Sequence, residues 1–240
     1  MRRLQASLVL CLVGVLGACS FDSTGVDFVD DNNDDDRPTL SPPNIDDRNP
    51  IDGFPDAGVL ASSCLIISEY IEGDGSNNKA VELYNCGGES LDLGEFGVCL
   101  VRNADTDCGN THVFATATLA PGAVFTICRT TEGTAGDPVD AIRDNCDVQA
   151  GGAMTFNGDD RLVVFKDVDG DGDMTGADEV MDALGRISLQ PAQPVWSEKT
   201  LRRCNFTPAD GLSEFVHTDY FTEHAQGDAS HFGVAPTEGC

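Results

Sequence analysis

Between Leu65 and Asn85 the chain sets two short apolar runs, Leu65-Ile-Ile-Ser-Glu-Tyr-Ile71 and Ala80-Val-Glu-Leu-Tyr-Asn85, on either side of Gly73-Asp74-Gly75-Ser76-Asn77-Asn78. The polar cluster supplies left-handed and Asx-type backbone conformations at low cost, so the segment reads as two strands joined by a turn. Further strand-like runs follow at Phe96 to Arg102, His112 to Leu119, Ala123 to Arg129, Ala153 to Phe156, Arg161 to Lys166, Val180 to Ile187 and Lys199 to Cys204. They are short and separated by turn signals such as Pro121-Gly122 and Asn157-Gly158-Asp159-Asp160. Asp140 to Asn145 predicts one helical turn, and no stretch carries a long apolar stripe of period 3.6. Many short strands at roughly regular spacing predict an all-β fold, an antiparallel sandwich rather than an α/β sheet. Arg161-Leu-Val-Val-Phe165 is almost continuously apolar, as expected of a strand buried on both faces.

One apolar run falls outside this pattern. Arg2 and Arg3 precede Leu8 to Leu16, which is too short to span a bilayer and has the form of a secretory signal. Leu16-Gly17-Ala18-Cys19 matches a bacterial lipobox, in which cleavage before Cys19 exposes a thiol and an amine for acylation. Residues 1–18 are therefore expected to be a signal peptide and Cys19 a lipidation site anchoring the protein to a membrane. Ser20 in place of Asp points to the outer membrane or the cell surface. Residues 19–62 are rich in Asp, Asn and Pro without a sustained apolar period, and read as an acidic disordered tether. Such a segment reaches at most about 140 Å when taut, or roughly 36 Å as a coil. Residues 63–240 are expected to form one domain.

Charge narrows the partners. The chain holds 41 Asp and Glu against 14 Lys and Arg, a net charge of -27. Residues 20–62 account for -9 of this, so the globular part is itself acidic. No basic face is available to displace counterions from nucleic acid, and that class of partner is excluded.

After Cys11 in the leader and Cys19, eight cysteines remain: Cys64, Cys86, Cys99, Cys108, Cys128, Cys146, Cys204 and Cys240. An even count in an exported chain argues for four disulfides, and the absence of any C-x-x-C pair argues against zinc. Local closure favours Cys99 with Cys108 and Cys128 with Cys146, while Cys64 and Cys240 could clasp the ends of the domain.

The order Ser68-Glu-Tyr70, Ser76-Asn-Asn-Lys-Ala80, Glu82-Leu-Tyr-Asn85 resembles the opening hairpin of lamin-tail (LTD) domains, particularly those of secreted bacterial proteins. Leu91-Asp-Leu93, Leu119-Ala-Pro-Gly-Ala-Val124, Phe156-Asn-Gly-Asp-Asp160, Asp182-Ala-Leu-Gly185, Trp196 and Lys199-Thr-Leu-Arg-Arg203 follow in the family's order, over roughly residues 64–204. The resemblance implies an immunoglobulin-like sandwich and carries no general catalytic residues. Eight cysteines, an acidic insertion after Asp167 and a distinct segment from Asn205 depart from the family pattern.

That insertion is the one stretch with specific chemistry. Asp167-Val-Asp-Gly-Asp-Gly-Asp-Met-Thr-Gly-Ala-Asp178 places carboxylates at positions 1, 3, 5 and 12 of a twelve-residue loop and Gly172 at position 6, the EF-hand ligand spacing. Asp167, Asp169, Asp171 and Asp178 are the expected carboxylate ligands of Ca²⁺, with Asp173 through its carbonyl and Thr175 through water. The loop is similar to dockerin calcium loops, but no second loop and no flanking helices accompany it. Six acids crowd residues 167–179 without a Lys or Arg, a repulsion that a divalent ion relieves.

Nucleophile elbows, H-E-x-x-H and phosphate loops are absent from the sequence. Adjacent Asp159 and Asp160 in a turn read as backbone caps rather than a catalytic pair. His217, His224 and His231 recur every seven residues, but Gly227 and β-formers between them disfavour a helix that would gather them. With His112 they complete the histidines. The sequence therefore predicts a non-enzymatic envelope lipoprotein that binds a protein or glycan. The rival reading is a secreted hydrolase or nuclease component with an acidic or histidine metal site.

Overall fold

The computed structural model describes residues 63–130 and 138–239. The expected leader, Cys19, the whole of the tether and Cys240 lie outside the described residues. In chain order the elements are β1 (Leu65–Glu72), β2 (Lys79–Asn85), β3 (Leu91–Asp92), β4 (Phe96–Val101), β5 (Asn110–Val113), β6 (Thr118–Leu119), β7 (Val124–Cys128), α1 (Asp140–Asp144), β8 (Val148–Gln149), β9 (Arg161–Lys166), β10 (Glu179–Leu184), β11 (Lys199–Arg203) and β12 (Phe221–Ala225). They form a six-stranded sheet in the order β12-β11-β1-β2-β7-β8, a four-stranded sheet in the order β10-β9-β4-β5, and the small pair β3-β6. Every pairing is antiparallel except β7 with β8. The architecture is an immunoglobulin-like all-β sandwich.

The first hairpin forms where its polar cluster lies. Glu72 pairs with Lys79, and Gly73 N–H donates to the Asn78 carbonyl at 2.7 Å. A side chain at Gly73 would meet the Asn78 Cβ at 2.6 Å, so glycine is required there by close approach. Strand period then sorts residues by face. Leu65, Ile67 and Tyr70 of β1 and Val81 and Leu83 of β2 enter the core between the sheets, where they meet Phe96, Val98 and Leu100 of β4 and Leu162 and Val164 of β9. The odd number of steps from Ile67 to Tyr70 is absorbed by a bulge at Ser68, where the register passes from Ile67↔Leu83 to Glu69↔Glu82.

Both outer faces carry apolar clusters of their own. Val163 and Phe165 of β9 pack with Cys99, Val101 and Ala183 on the outside of the four-stranded sheet, which makes β9 a strand buried on both faces. On the outside of the six-stranded sheet, Ile71, Ala80 and Cys128 are covered by Ile142 of α1 and by Ala229 and Phe232. Between the sheets lies a buried ion pair, with Arg203 Nη1 3.0 Å from Asp182 Oδ2 and both side chains fully buried. Ile67 N–H, near the bulge, and Ala209 N–H also donate to this carboxylate, at 2.8 and 2.7 Å.

Three disulfides join Cys64 to Cys86, Cys99 to Cys108 and Cys128 to Cys146, with Cα separations of 5.0, 5.6 and 5.8 Å. Cys204 is disulfide-bonded as well. The clasp expected between Cys64 and Cys240 is replaced by Cys64–Cys86, because the hairpin register sets Leu65 opposite Asn85 and brings the two flanking cysteines face to face.

Two strand assignments from sequence also change. The run from His112 to Leu119 breaks into β5 and β6, which join different sheets. Ala153 to Phe156 is a turn whose Ala153, Met154 and Phe156 side chains still enter the core. The carbonyl of Phe156 accepts from the buried Lys79 ammonium, which stands 3.2 Å from Glu72 Oε1.

Candidate functional site

The acidic loop connects β9 to β10, two neighbours in the four-stranded sheet, so both of its ends are fixed by ladder hydrogen bonds. Its alternating carboxylates fold inward onto its own backbone. Asp167 accepts from Gly170 N–H at 2.8 Å and Gly172 N–H at 3.1 Å, and Asp171 accepts from Asp173 N–H at 2.9 Å. Asp178 closes the loop by accepting from Val168 N–H at 2.8 Å and Thr175 N–H at 2.7 Å. Gly170 and Gly172 take left-handed φ angles of +73° and +83°, which other residues adopt only with strain. Hydrogen bonds from Thr175 N–H, then Val168 N–H, hold the exposed Asp178 carboxyl below its usual acidity range.

Asp167, Asp169, Asp171 and Asp178 each place an oxygen so that all four lie within 4.8 Å of one another. Oxygens on opposite sides of Ca²⁺, at about 2.3–2.6 Å from the ion, stand roughly 5 Å apart, whereas a Mg²⁺ shell spans only about 4.2 Å. The all-oxygen donor set and its spread are compatible with a hard divalent cation such as Ca²⁺. Asp173 does not join the group through its carboxylate, and the Thr175 hydroxyl donates to Asp178 at 3.1 Å. Met174, between them, turns to the sheet instead: its sulfur lies 3.2 Å from Cys108 Sγ and 3.7 Å from Cys99 Sγ. The loop is thus seated on the Cys99–Cys108 bridge.

Among the described residues, no other group of three or more metal-type side chains converges as this one does. Among the described residues the histidines form no metal cluster, although His224 and His231 line one cavity. His112 lies on β5 near the Phe114 ring, and burial lowers its pKa. His217 bonds Glu223 at 2.6 Å, His224 on β12 contacts Arg202 at 3.2 Å, and His231 contacts Ser230 at 3.1 Å. Asp160 accepts from the backbone N–H groups of Asn103 and Asn157, at 2.8 and 2.7 Å, and Asp159 accepts from Gln190. The two carboxylates face different partners. Trp196 is 2% exposed within the core, and its indole N–H donates to the Asp160 carbonyl.

No local sequence signal singles out Glu69 and Glu82. They are cross-strand partners on the outer face of the six-stranded sheet, 2% and 1% exposed. Burial raises both from 4.5 to about 7. Plain alternation from Leu65 turns Glu69 inward, and only the bulge turns it out.

The family model of the Lamin Tail Domain matches residues 60–185. The chain belongs to the lamin-tail family. The match takes in β1 to β10 and both members of the loop's frame, and it ends before β11, β12 and Arg203. No curated protein matches the chain. Among solved structures, a DUF4876 family protein from Bacteroides thetaiotaomicron is similar at 11% identity, with a TM-score of 0.42 over 74% of this chain and 72% of that one. Lamin-tail domains are generally non-catalytic, and a disulfide-bonded β domain of this kind is consistent with a binding role.

Proposed function

We propose that this lamin-tail chain is a lipid-anchored bacterial envelope protein that presents a calcium-stiffened sandwich for binding a protein or glycan, without catalysis of its own. Residues 1–18 serve as the leader, Cys19 carries the acyl chains, 19–62 form the tether and 63–240 the domain, held at the outer membrane or the cell surface. The observation that carries the reading is the convergence of four carboxylate oxygens within 4.8 Å in a loop joined to a disulfide. Disulfides belong to exported proteins, and extracellular calcium loops of this kind bind at about 0.1–1 mM, which suits a permanently calcium-rich exterior rather than signalling. Asp167, Asp169, Asp171 and Asp178 supply carboxylate ligands, Asp173 a carbonyl, and Thr175 a water-bridged contact. The metal would tie the β9 and β10 ends of the loop together, and the Met174 contact would pass that order to the sheet.

Calorimetry of the mature protein with CaCl₂ and intact mass of the native protein test the two halves. Saturable heat with calcium and a mass increment of acyl chains at Cys19 are expected. No heat, or an unmodified Cys19 behind an uncleaved leader, overturns the corresponding half.

A further inference from the structure

Between the outer face of the six-stranded sheet and residues 231–239 lies a cavity of about 340 Å³. Small-molecule pockets begin at about 300 Å³. Glu69 and Glu82 line it, but they are not equally occupied. Glu82 is engaged on both oxygens, by the Ser68 hydroxyl at 2.7 Å and by Gly233 N–H at 2.6 Å, and so fastens the covering segment to the sheet. Glu69 accepts on one oxygen only, from Arg202 Nε at 3.1 Å. Among the described residues its Oε2 accepts no hydrogen bond, and it opens to the cavity while the side chain as a whole is 2% exposed.

Arg202 does not neutralise the cavity. Its Nη2 stands 3.0 Å from Asp228 Oδ1, so one guanidinium serves Glu69 and Asp228 while Glu82 has no cation of its own. Its Nη1 contacts His224 Nδ1 at 3.2 Å, and because arginine can only donate, that nitrogen is unprotonated and the ring neutral. His231 contacts Ser230 from the covering segment. The remaining wall sets Val234, Ala235 and Pro236 beside the hydroxyls of Thr222 and Thr237 and beside Arg203, whose guanidinium is committed to Asp182. A carboxylate oxygen that faces the cavity without a protein donor, on an otherwise buried side chain beside apolar wall residues and a local excess of negative charge, is a receptor for a cationic donor.

We propose that this cavity binds a small molecule bearing a protonated amine on an apolar body, the ammonium donating to Oε2 of Glu69 and the body lying against Val234, Ala235 and Pro236. The proposal extends beyond the envelope-binding reading and rests neither on calcium nor on the anchor. Glu69 titrates at about 7 because burial outweighs Arg202, with Glu82 and Asp228 adding like charge. An ammonium ligand must therefore displace a proton from part of the population at neutral pH, and apparent affinity rises from about pH 6 to about pH 8.

The test is titration calorimetry of the full chain in EDTA with n-hexylamine, using 1-hexanol as the neutral counterpart, in buffers of different ionisation enthalpy. One-to-one binding is expected, at least about tenfold tighter for the amine, with proton release near pH 7. Glu69→Gln should remove that preference, and Val234→Trp, at a half-exposed wall position, should block both probes with little change in melting temperature. Equal affinities for amine and alcohol, an undiminished preference in Glu69→Gln, or no binding overturns the proposal. Should Glu69→Gln fail to fold, the amine-to-alcohol ratio and Val234→Trp decide it.

Discussion

Asp178 accepts from three backbone N–H groups and one hydroxyl and Glu82 from two and one, yet their acidities move in opposite directions. Asp178 lies on the open rim of the β9–β10 loop, where donors act on a carboxylate that water already solvates, and its pKa falls. Glu82 is sealed between a sheet and its covering segment, where the loss of water outweighs its donors, and its pKa rises to about 7. The exposed loop can crowd its acids because solvent, and the proposed cation, share the charge. The buried pair sits at a pH where it can give charge up. Exposure, more than the number of partners, sets what each acidic region can do.

The largest test of this contrast lies at Asp182, the most deeply buried carboxylate among the described residues. Asp182→Ala would strand Arg203 and the N–H groups of Ile67 and Ala209 inside the sandwich, and should cost about 3–5 kcal/mol in denaturant unfolding with disulfides intact. A loss no greater than that of a surface substitution would show that water reaches this site.

Stability against pH comes next. Glu69 and Glu82 have folded pKa values raised above 4.5, so their contribution is complete below about 4.5 and disappears as pH rises through about 7. Asp178, Asp210 and Asp228 are shifted down, so theirs is present above about 3.8 and lost on further acidification. Stability should peak at mildly acidic pH and fall by on the order of 3 kcal/mol toward pH 9. The double variant Glu69→Gln, Glu82→Gln should flatten the alkaline limb. An unchanged limb would assign the titration elsewhere.

For the exposed loop, calcium at twenty times its dissociation constant should stabilise the protein by about 1.8 kcal/mol. Asp171→Ala should abolish this gain and leave the apoprotein nearly unchanged, both readable from melting curves with CaCl₂ and with EDTA. The smallest effect is expected at Glu223, an exposed partner of Lys199 and His217. Glu223→Gln should cost less than about 1 kcal/mol and less still in high salt.

Legibility in the sequence followed the range of the interactions. The first hairpin, β4, β7, β9 and β11 were readable because local period and turn residues define them. The acidic loop was readable for the same reason, since its carboxylates, glycines and closing Asp178 all belong to twelve consecutive residues. β12 was not foreseen, because only Phe221 of its five residues is buried and its place is set by pairing with β11. The Cys64–Cys86 bridge required knowing the hairpin register. Asp182 and Arg203 were visible as separate family motifs, but their meeting depends on two different sheets facing each other.

By itself, the sequence determined the β character of the domain, its disulfide-rich chemistry, and the acidic loop, because each depends on residues close together or on composition. Tertiary structure alone decided which carboxylates lose water. One extra residue at Ser68 reverses the face of Glu69, a sheet stacked on a sheet encloses Asp182, and residues 226–239 fold back over Glu82. Solvation is a property of the whole packed surface around a group, and no pattern along the chain encodes it locally.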